Sequence, residues 1–465
     1  MKRLVLQTKA IAISVVLSHL AVALDSPAQS PALTITNPTP AIADQFGQAV
    51  AVVGDCLLVG DPQDSTADQY TGAAYLYNST GALMRTFLNP APANGYFFGR
   101  ALAAVGNDKV LIGAPFGNVP VGATHPGGAY LFHTNGTLIR TFLRPPGQAM
   151  ARFGTSVAAL GTDRVLIGAD GDDRAGTDAG AAYLFGTNGT LLATLTNPAP
   201  VDFEALGTAL AVVGQDRILI GAPANPSAPT TPGSAFLFNT NGTMLTKFDN
   251  PIPASGGSFG WTVAALGTDL VAIGAPFANI MAPRGGEVYL FRTNGVLFGP
   301  ALGNPDAAEH DNFGKALAAV GPDKLLVSSF NQAHAQNAGA VYLFSTNGTR
   351  LLTIRMPSTN DAPFFGSALV AITTDRVLIG TPEADWAGAA FVYDLRPSLT
   401  IFKTAANSVR VSWLSAWNDW TLEQNTNANT STWSPVSESL NDDSVNRSII
   451  VGQPVGNRYY RLFKP

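Results

Sequence analysis

The sequence predicts an all-β protein: a seven-bladed β-propeller with four-stranded antiparallel blades, followed by a small β-sandwich. Three observations predict it. A unit recurs seven times, with starts 52 to 55 residues apart. Each unit holds four short apolar segments separated by turn residues. The period ends near residue 398, where tryptophan, asparagine and serine become frequent. Four antiparallel strands per repeat, in several copies, are typical of propeller blades.

The first half of each unit begins with a Phe-Gly pair, replaced by Leu-Gly in the fourth. An Ala/Val-rich strand follows, then a short turn and a second strand ending in Gly-Ala-Pro or a variant, as in 101–115. The Phe is suited to fill the wedge between neighbouring blades, and the Gly allows two backbones to approach closely. The seven pairs are Phe46-Gly47, Phe98-Gly99, Phe153-Gly154, Leu206-Gly207, Phe259-Gly260, Phe313-Gly314 and Phe365-Gly366.

The second half of each unit contains a variable loop and two further strands, as in 128–132 and 138–143. An Asn-Gly pair separates these strands in five units. Asn-Gly between two strands predicts a type I′ hairpin turn, in which both central residues have positive φ. The five asparagines are Asn135, Asn188, Asn241, Asn294 and Asn347.

The seventh unit is incomplete. Residues 365–395 supply three strands, and the pattern then breaks at Arg396-Pro397. Near the N-terminus, residues 33–40 match the end of the third unit, residues 192–200. We therefore expect the N-terminal strand to complete blade seven, which closes the ring over 31–395 and removes two exposed sheet edges.

These units resemble the FG-GAP repeats of integrin α-subunit propellers and their bacterial relatives, over residues 33–395. The resemblance implies a propeller, and it suggests binding or cell adhesion outside the cell. One departure matters. The integrin repeats carry a calcium-binding, Asp-rich loop before the strand that ends in Gly-Ala-Pro. Here that loop is reduced to turns such as 106–109 and 161–164. These turns offer too few oxygen ligands for calcium, so those calcium sites are not expected here.

The N-terminus predicts a signal peptide over residues 1–23. Lys2, Arg3 and Lys9 form a basic start, residues 11–24 are largely apolar, and Ala21-Val22-Ala23 fits the small-x-small cleavage pattern. An uncleaved membrane anchor is the alternative. No later segment has the roughly 20 apolar residues that a spanning helix needs. The expected location is extracellular or at the cell surface.

The charge balance argues against nucleic acid as a partner. The full chain has 27 basic and 32 acidic side chains, a net charge of −5. Loss of the three basic residues of the signal peptide leaves a net charge near −8. An acidic chain without a basic cluster does not attract a phosphate backbone.

Residues 398–465 predict a separate β-sandwich. Five strand candidates occur in about 68 residues, and they include 409–413 and 459–463. These two segments resemble the fibronectin-III-like modules found in many secreted bacterial proteins. Trp413 is expected in its core.

The loops predict which end of the propeller binds a ligand. Connections between the first and second strands, and between the third and fourth, are short and uniform, whereas those between the second and third are long and variable. Function usually lies in variable loops on a rigid scaffold. These loops are 61–72, 114–128, 169–180, 222–234, 275–286, 328–339 and 381–388. Their aromatic residues can anchor a protein or stack on sugar rings. The candidates are Tyr70, Phe116, Phe277, Phe330 and Trp386.

One loop is rich in aspartate and resembles a metal site. Its candidate ligands are Asp170, Asp172, Asp173 and Asp178. Carboxylates this close together can coordinate calcium. The spacing does not match an EF-hand, however, and Arg174 lies among them, so a solvated acidic loop is the alternative. A second, similar set is Asp61, Asp64 and Asp68. No other cofactor is predicted.

Function is predicted only as a class. No histidine, serine or glycine motif of a known catalytic type occurs, and 309–311 is the only cluster of general acid and base types. The leading hypothesis is a non-catalytic binding or adhesion protein for protein or glycan. The alternatives are a hydrolase or lyase acting on an extracellular polymer through carboxylates in the propeller funnel, and a structural surface-layer component.

Overall fold

The computed structural model describes residues 30–463 except for 68, 93–94, 116–126, 146–150, 225–231, 254–255, 280–281, 306–308, 331–338, 357–363, 383–386, 398, 405–407, 416, 418–419, 428–431, 444–445 and 453–456. The signal-peptide prediction lies outside these residues. The chain divides into two compact units, one of residues 28–395 and one that contains 396–465. In the part described, no helix combines the length and apolar character that crossing a membrane requires.

The larger unit contains seven four-stranded antiparallel sheets, which we number by the repeats. Sheet 1 holds β2 (Ala49–Val53), β3 (Cys56–Asp61), β4 (Ala73–Tyr77) and β5 (Leu83–Leu88); sheet 2 holds β6 (Ala101–Val105), β7 (Lys109–Ala114), β8 (Gly128–His133) and β9 (Leu138–Leu143); sheet 3 holds β10 (Val157–Leu160), β11 (Arg164–Ala169), β12 (Ala181–Gly186) and β13 (Leu191–Leu195); sheet 4 holds β14 (Ala209–Val213), β15 (Arg217–Ala222), β16 (Ser234–Asn239) and β17 (Met244–Asp249).

The remaining sheets follow the same plan. Sheet 5 holds β19 (Thr262–Leu266), β20 (Leu270–Ala275), β22 (Glu287–Arg292) and β23 (Leu302–Gly303); sheet 6 holds β24 (Leu317–Val320), β25 (Lys324–Ser329), β26 (Ala340–Ser345) and β27 (Arg350–Arg355); sheet 7 holds β28 (Ala368–Thr373), β29 (Arg376–Thr381), β30 (Ala389–Asp394) and β1 (Leu33–Thr36); a small ribbon pairs β18 (Gly256–Gly257) with β21 (Phe277–Ala278). The prediction of an all-β fold built from four-stranded antiparallel sheets is confirmed.

The fourth strand of sheet 7 comes from the other end of the unit. Strand β1 pairs antiparallel with β30, with Leu33 opposite Val392 and Ile35 opposite Ala390. The side chain of Ile35 is buried. It belongs to an apolar cluster that also contains Phe46 and residues of sheet 1. The N-terminal strand therefore takes part both in sheet 7 and in the contact between sheets 7 and 1.

The apolar core lies between consecutive sheets. Phe153 is fully buried, and its ring lies 5.5 Å from that of Tyr183 in sheet 3. The same cluster contains Leu131 and Phe142 of sheet 2. Five similar clusters each join two neighbouring sheets, in the pairs 7 with 1, 1 with 2, 3 with 4, 4 with 5, and 5 with 6. The Phe of the Phe-Gly pair thus fills the wedge between sheets, as the sequence predicts.

The Gly of the pair is required by both conformation and space. Gly99 has a φ of +94°, and a Cβ atom there would lie 2.3 Å from the carbonyl oxygen of Ala73 in the preceding sheet. Its N–H donates to the carbonyl of Gly113 at 3.1 Å. Only glycine meets both conditions without strain.

The first strands of the seven sheets contact one another in cyclic order. Strand β2 lies against β6, and the series continues through β10, β14, β19, β24 and β28 back to β2. Most residues of these strands are half-buried, with buried positions among them, as in Ala101–Val105. These strands are thus partly open to solvent.

The Asn-Gly turns differ from the prediction. The prediction of type I′ turns was wrong, because the asparagines do not have positive φ and only the glycines do, as at Gly136 with φ +96°. Gly136 N–H donates to the carbonyl of His133, and His133 N–H donates to that of Thr137. The loop thus has three residues. In such a loop a type I turn followed by one left-handed residue reverses the chain.

The smaller unit contains two antiparallel sheets. One holds β31 (Thr400–Lys403), β32 (Val409–Leu414), β35 (Asn441–Asp442) and β36 (Asn446–Val451), and the other holds β33 (Thr421–Asn425), β34 (Ser434–Pro435) and β37 (Tyr459–Phe463). Trp413, Trp417 and Trp420 are buried, together with Leu422 and Ile449. Trp413 is therefore a core residue, as expected.

Candidate functional site

The two ends of the seven sheets are built differently. At one end, the short turns bond to each other: Thr134 N–H donates to Asp108 O, and Thr187 N–H to Asp163 O, both at 2.8 Å. The other end carries the connections between second and third strands, and we call it the loop face. Short bonded turns leave little room for a site, so the loop face is where a ligand site can form.

A group of basic and aromatic side chains lies on the loop face. The Nζ atom of Lys315 is 3.7 Å from the ring centre of Trp261 and 4.9 Å from that of Phe277. The two rings meet edge to face, with centres 5.2 Å apart. The guanidinium of Arg284 lies 4.6 Å from the Phe277 ring centre. We call these four residues, with Arg100, the cation–aromatic cluster.

The repeat itself positions this cluster. Trp261, Lys315 and Arg100 each directly follow the Phe-Gly pair of their unit, so they occupy one equivalent position at the start of the first strands of sheets 5, 6 and 2. Phe277 belongs to β21, which pairs with β18. Arg284 lies in the loop that follows, where its N–H donates to Asn279 Oδ1 at 2.8 Å.

The positive charges of the cluster interact. Burial, followed by the charges of Arg100 and Arg284, lowers the pKa of Lys315 to about 7. Arg100 belongs to sheet 2 and Lys315 to sheet 6, yet they are close enough to repel. Arg100 is exposed to solvent; nearby protein lowers its pKa, and the charge of Asp170 acts on that pKa in the opposite direction.

Lys315 and Arg284 have no carboxylate partner among the described residues, whereas the charge of Asp170 acts on Arg100. Within the described residues, Lys315, Arg284 and Arg100 form no ion pair. Most other basic side chains of the larger unit do form one, and these are Lys109, Arg144, Arg152, Arg164, Arg174, Arg217, Lys247, Arg292, Lys324 and Arg376. Aromatic rings attract a cation without cancelling its charge. The cluster therefore offers unneutralised positive charge at the loop face.

The aromatic residues predicted from the loops have different surroundings. Phe277 is half-buried in the cation–aromatic cluster. Tyr70 is half-buried in a strained loop, with a φ of +54°. Phe330 is only 3% exposed and packs edge-on against Phe364, so its ring is not offered to a ligand. Phe116 and Trp386 lie outside the described residues.

The aspartates predicted as calcium ligands are held by arginines. Asp170 accepts from Arg152 Nε at 2.9 Å, and Asp178 lies 3.8 Å from another nitrogen of Arg152. Asp172 is buried, accepts a hydrogen bond from the Tyr183 hydroxyl, and lies near Arg144 and Arg174.

The fourth residue, Asp173, accepts from the backbone N–H of Asp178 at 2.7 Å. Arginine and backbone donors thus serve the carboxylates of this loop.

A different set of aspartates converges. Among the described residues, Asp44, Asp61 and Asp64 bring carboxylate oxygens within 4.8 Å of one another, and all three are buried. We call these three residues the aspartate cluster. Their oxygens could hold a cation. Asp61 and Asp64, which the sequence analysis named together with Asp68, do lie together, and Asp44 joins them. Asp68 lies outside the described residues.

Hydrogen-bond donors already fill the aspartate cluster. Asn37, which follows β1, donates through Nδ2 to Asp44 at 2.9 Å and to Asp61 at 3.0 Å. The Tyr75 hydroxyl donates to Asp64 at 2.6 Å. Burial, then the charge of Asp44, raises the pKa of Asp61 to about 8. The cluster therefore joins the N-terminal strand to sheet 1, and it favours a proton on Asp61.

The sequence analysis named only part of each cluster, Asp61 and Asp64 of one and Phe277 of the other, although the repeat contained a signal for the remaining members. An asparagine that ends a fourth strand is followed seven residues later by an acid in three units. The three pairs are Asn37 with Asp44, Asn197 with Glu204, and Asn304 with Asp311. The cation–aromatic cluster had a similar signal, because three of its members directly follow the Phe-Gly pair. Comparing equivalent positions across repeats finds both.

Comparison with known families agrees with the repeat pattern. Residues 34–77 and 144–185 match the model of the FG-GAP repeat. The chain therefore contains FG-GAP repeats, and its four-stranded antiparallel sheets are consistent with the β-propeller that such repeats form. Among curated proteins, none matches this chain.

Proposed function

We propose that this chain is an exported, non-catalytic binding protein built as a closed seven-bladed propeller, with a fibronectin-III-like module after it. The cyclic contact of the seven first strands and the pairing of β1 with β30 support closure of the ring. The FG-GAP match supports a propeller of the binding or adhesion type and a place outside the cell. No nucleic-acid partner is proposed, because the chain is acidic overall.

One observation carries the proposal: the cation–aromatic cluster on the loop face. Most basic side chains of the larger unit pair with a carboxylate in the described structure. Lys315 and Arg284 instead lie against aromatic rings, and Arg100 is exposed to solvent. Convergent polar groups beside apolar surface are typical of a ligand site. A ligand is a direct reason to hold Lys315 and Arg284 together with no ion pair in the described residues, since the repulsion between their charges destabilises the folded chain.

The proposal is tested by comparing binding with turnover. The full exported chain should bind ligands on a glycan array or in a pull-down, and Trp261→Ala should weaken that binding at least tenfold. A Trp433→Ala variant, altered in the C-terminal unit, is the control for loss of an aromatic residue. An active hydrolase or lyase screen, together with no bound ligand, would reverse the proposal.

The enzyme alternative depends on free carboxylates in the funnel. Asp172 is buried against Tyr183 and lies near Arg144, which holds it as a structural acid. Asp170 is paired with Arg152. Substitution of Asp172 and Asp173 should therefore change the melting temperature, and polymer turnover should be undetectable both in the unaltered chain and in the variant. Because arginines already pair with these aspartates, calcium binding by the Asp170 loop is a secondary proposal.

A further inference from the structure

The cation–aromatic cluster also indicates the class of ligand. This inference rests on the proposed binding function and deepens it. We infer that Lys315 and Arg284 bind the carboxylate of an acidic sugar, and that Trp261 packs against the sugar ring. The class is thus a carbohydrate that contains uronic acid.

The first step concerns charge. Lys315 lies 3.7 Å from the Trp261 ring centre and has no carboxylate partner in the described chain. A ring holds an ammonium group in place, yet leaves its N–H donors and its charge available. A carboxylate partner, as Asp108 is for Lys109 at 3.0 Å, would consume both. The cluster is thus prearranged for an anion that arrives from solution.

The second step concerns the number of anionic groups. Lys315 and Arg284 lie on the Trp261 and Phe277 rings and the charge of Arg100 also acts on Lys315, while the protein as a whole is acidic, with a net charge of −5. A dense polyanion such as nucleic acid would be repelled by this overall charge. One carboxylate is enough to meet the local positive charge, so a short acidic ligand avoids most of this repulsion. Guanidinium groups pair with planar carboxylates through two parallel hydrogen bonds.

The third step concerns the part of the ligand that carries the anion. Trp261 and Phe277 are both half-buried and lie edge to face, so apolar ring surface borders the cations. A sugar ring presents a flat C–H face beside its carboxylate, and a flexible acidic side chain of a peptide does not. Aromatic surface next to charge therefore favours a sugar acid.

The test uses a matched pair of probes. A tetramer of galacturonic acid and its methyl ester share one sugar skeleton and differ in the carboxylate charge. By isothermal titration calorimetry, the full chain should bind the acid form at least tenfold more tightly than the ester. Lys315→Met should remove this preference, because it deletes the ammonium group and keeps the length of the side chain. Lys109→Met, at the opposite end of the sheets, is the control and should keep it.

The outcomes separate this inference from the proposed function. Equal affinity for acid and ester, or no binding of either, overturns the assignment of an acidic sugar. If both forms bind equally and Trp261→Ala weakens both, the loop face still binds sugar, and only the recognition of the carboxylate is refuted. If a Gly-Glu repeat peptide binds more tightly than the acid tetramer, the carboxylate is right and the sugar is wrong. Shortened tetramer products would overturn the proposed function itself.

A melting curve guards against misfolding. Lys315→Met should melt within about 2 °C of the unaltered chain, since removal of one unpaired charge costs little packing. A second variant, Lys315→Arg, keeps the charge and should retain most of the preference for the acid form. Loss of the preference in this variant with an unchanged melting temperature would count against recognition by charge.

Discussion

The aspartate cluster and the cation–aromatic cluster each gather charges of one sign, but they are stabilised in different ways. Asp44, Asp61 and Asp64 are almost fully buried and surrounded by donors from Asn37, Tyr75 and the backbone. Lys315 and Arg284 rest on aromatic rings and keep contact with solvent. Like charges that are closed off and satisfied by donors hold a fold together. Like charges left open and unneutralised are available to a ligand.

Among the changes that test this comparison, removal of the N-terminal strand should have the largest effect on stability. A chain that lacks residues 31–38 loses β1, with the buried Ile35, and Asn37. Sheet 7 then lacks its fourth strand, and the aspartate cluster lacks a hydrogen-bond donor. We expect the melting temperature to fall by about 10 °C or more.

Differential scanning calorimetry measures this effect, with a chain that begins at residue 31 as the control. An unchanged melting temperature would refute the proposed closure of the ring by β1.

A matched pair of asparagines isolates the donors of the aspartate cluster. Asn37 and Asn89 occupy the same repeat position, and both accept a backbone N–H through Oδ1. Asn37 Nδ2 donates to two carboxylates, whereas Asn89 Nδ2 is buried with no partner in the described structure. Asn37→Ala should therefore cost about 2 kcal/mol more than Asn89→Ala in free energy of unfolding. Urea denaturation measures both, and equal losses would show that the cluster does not depend on Asn37.

The stability of the protein should depend on pH through Asp61. Its pKa is near 8 in the folded chain and near 3.8 when unfolded, so the folded state holds the extra proton between these values. The free energy of unfolding should then fall as the pH rises from 6 to 8, by about 2 kcal/mol. Asp61→Asn should flatten this dependence, and substitution of the exposed Asp216 should not.

Calcium provides a control for the same cluster. Because Asn37 Nδ2 already points at two of the carboxylates, millimolar calcium should leave the pH dependence in place. A saturable rise in the melting temperature at pH 8 would instead show that the aspartate cluster takes up a cation.

The smallest expected effect is the pH dependence of binding at the cation–aromatic cluster. Lys315 has a pKa near 7, lowered by burial and then by the charges of Arg100 and Arg284. Affinity for the galacturonic acid tetramer should fall by about tenfold from pH 6 to pH 8.5, because the ammonium form is lost. Calorimetry at several pH values measures it. Lys315→Met should give a flat, weak profile, and a steep profile in that variant would assign the effect to another group.

Local patterns in the sequence were sufficient for most of the strands. The Phe-Gly pairs and the Gly-Ala-Pro strand ends recur in phase. The contacts that require these residues form within one repeat or between adjacent repeats. Gly99, for example, is needed where two neighbouring backbones touch. The turn type at Asn135 was mistaken, because the number of loop residues depends on which pair closes the hairpin.

By itself, the sequence determined the strand content, the seven-fold repeat and the N-terminal segment that completes the seventh sheet, because these depend on short-range periodicity and on one matching segment. Only the tertiary structure decided which charged residues meet. Arg100 and Lys315 are 215 positions apart in the chain, and Asn37 meets Asp61 across two sheets. Contact between residues of distant repeats depends on how the sheets are arranged around one another. A local sequence pattern carries no information about that arrangement.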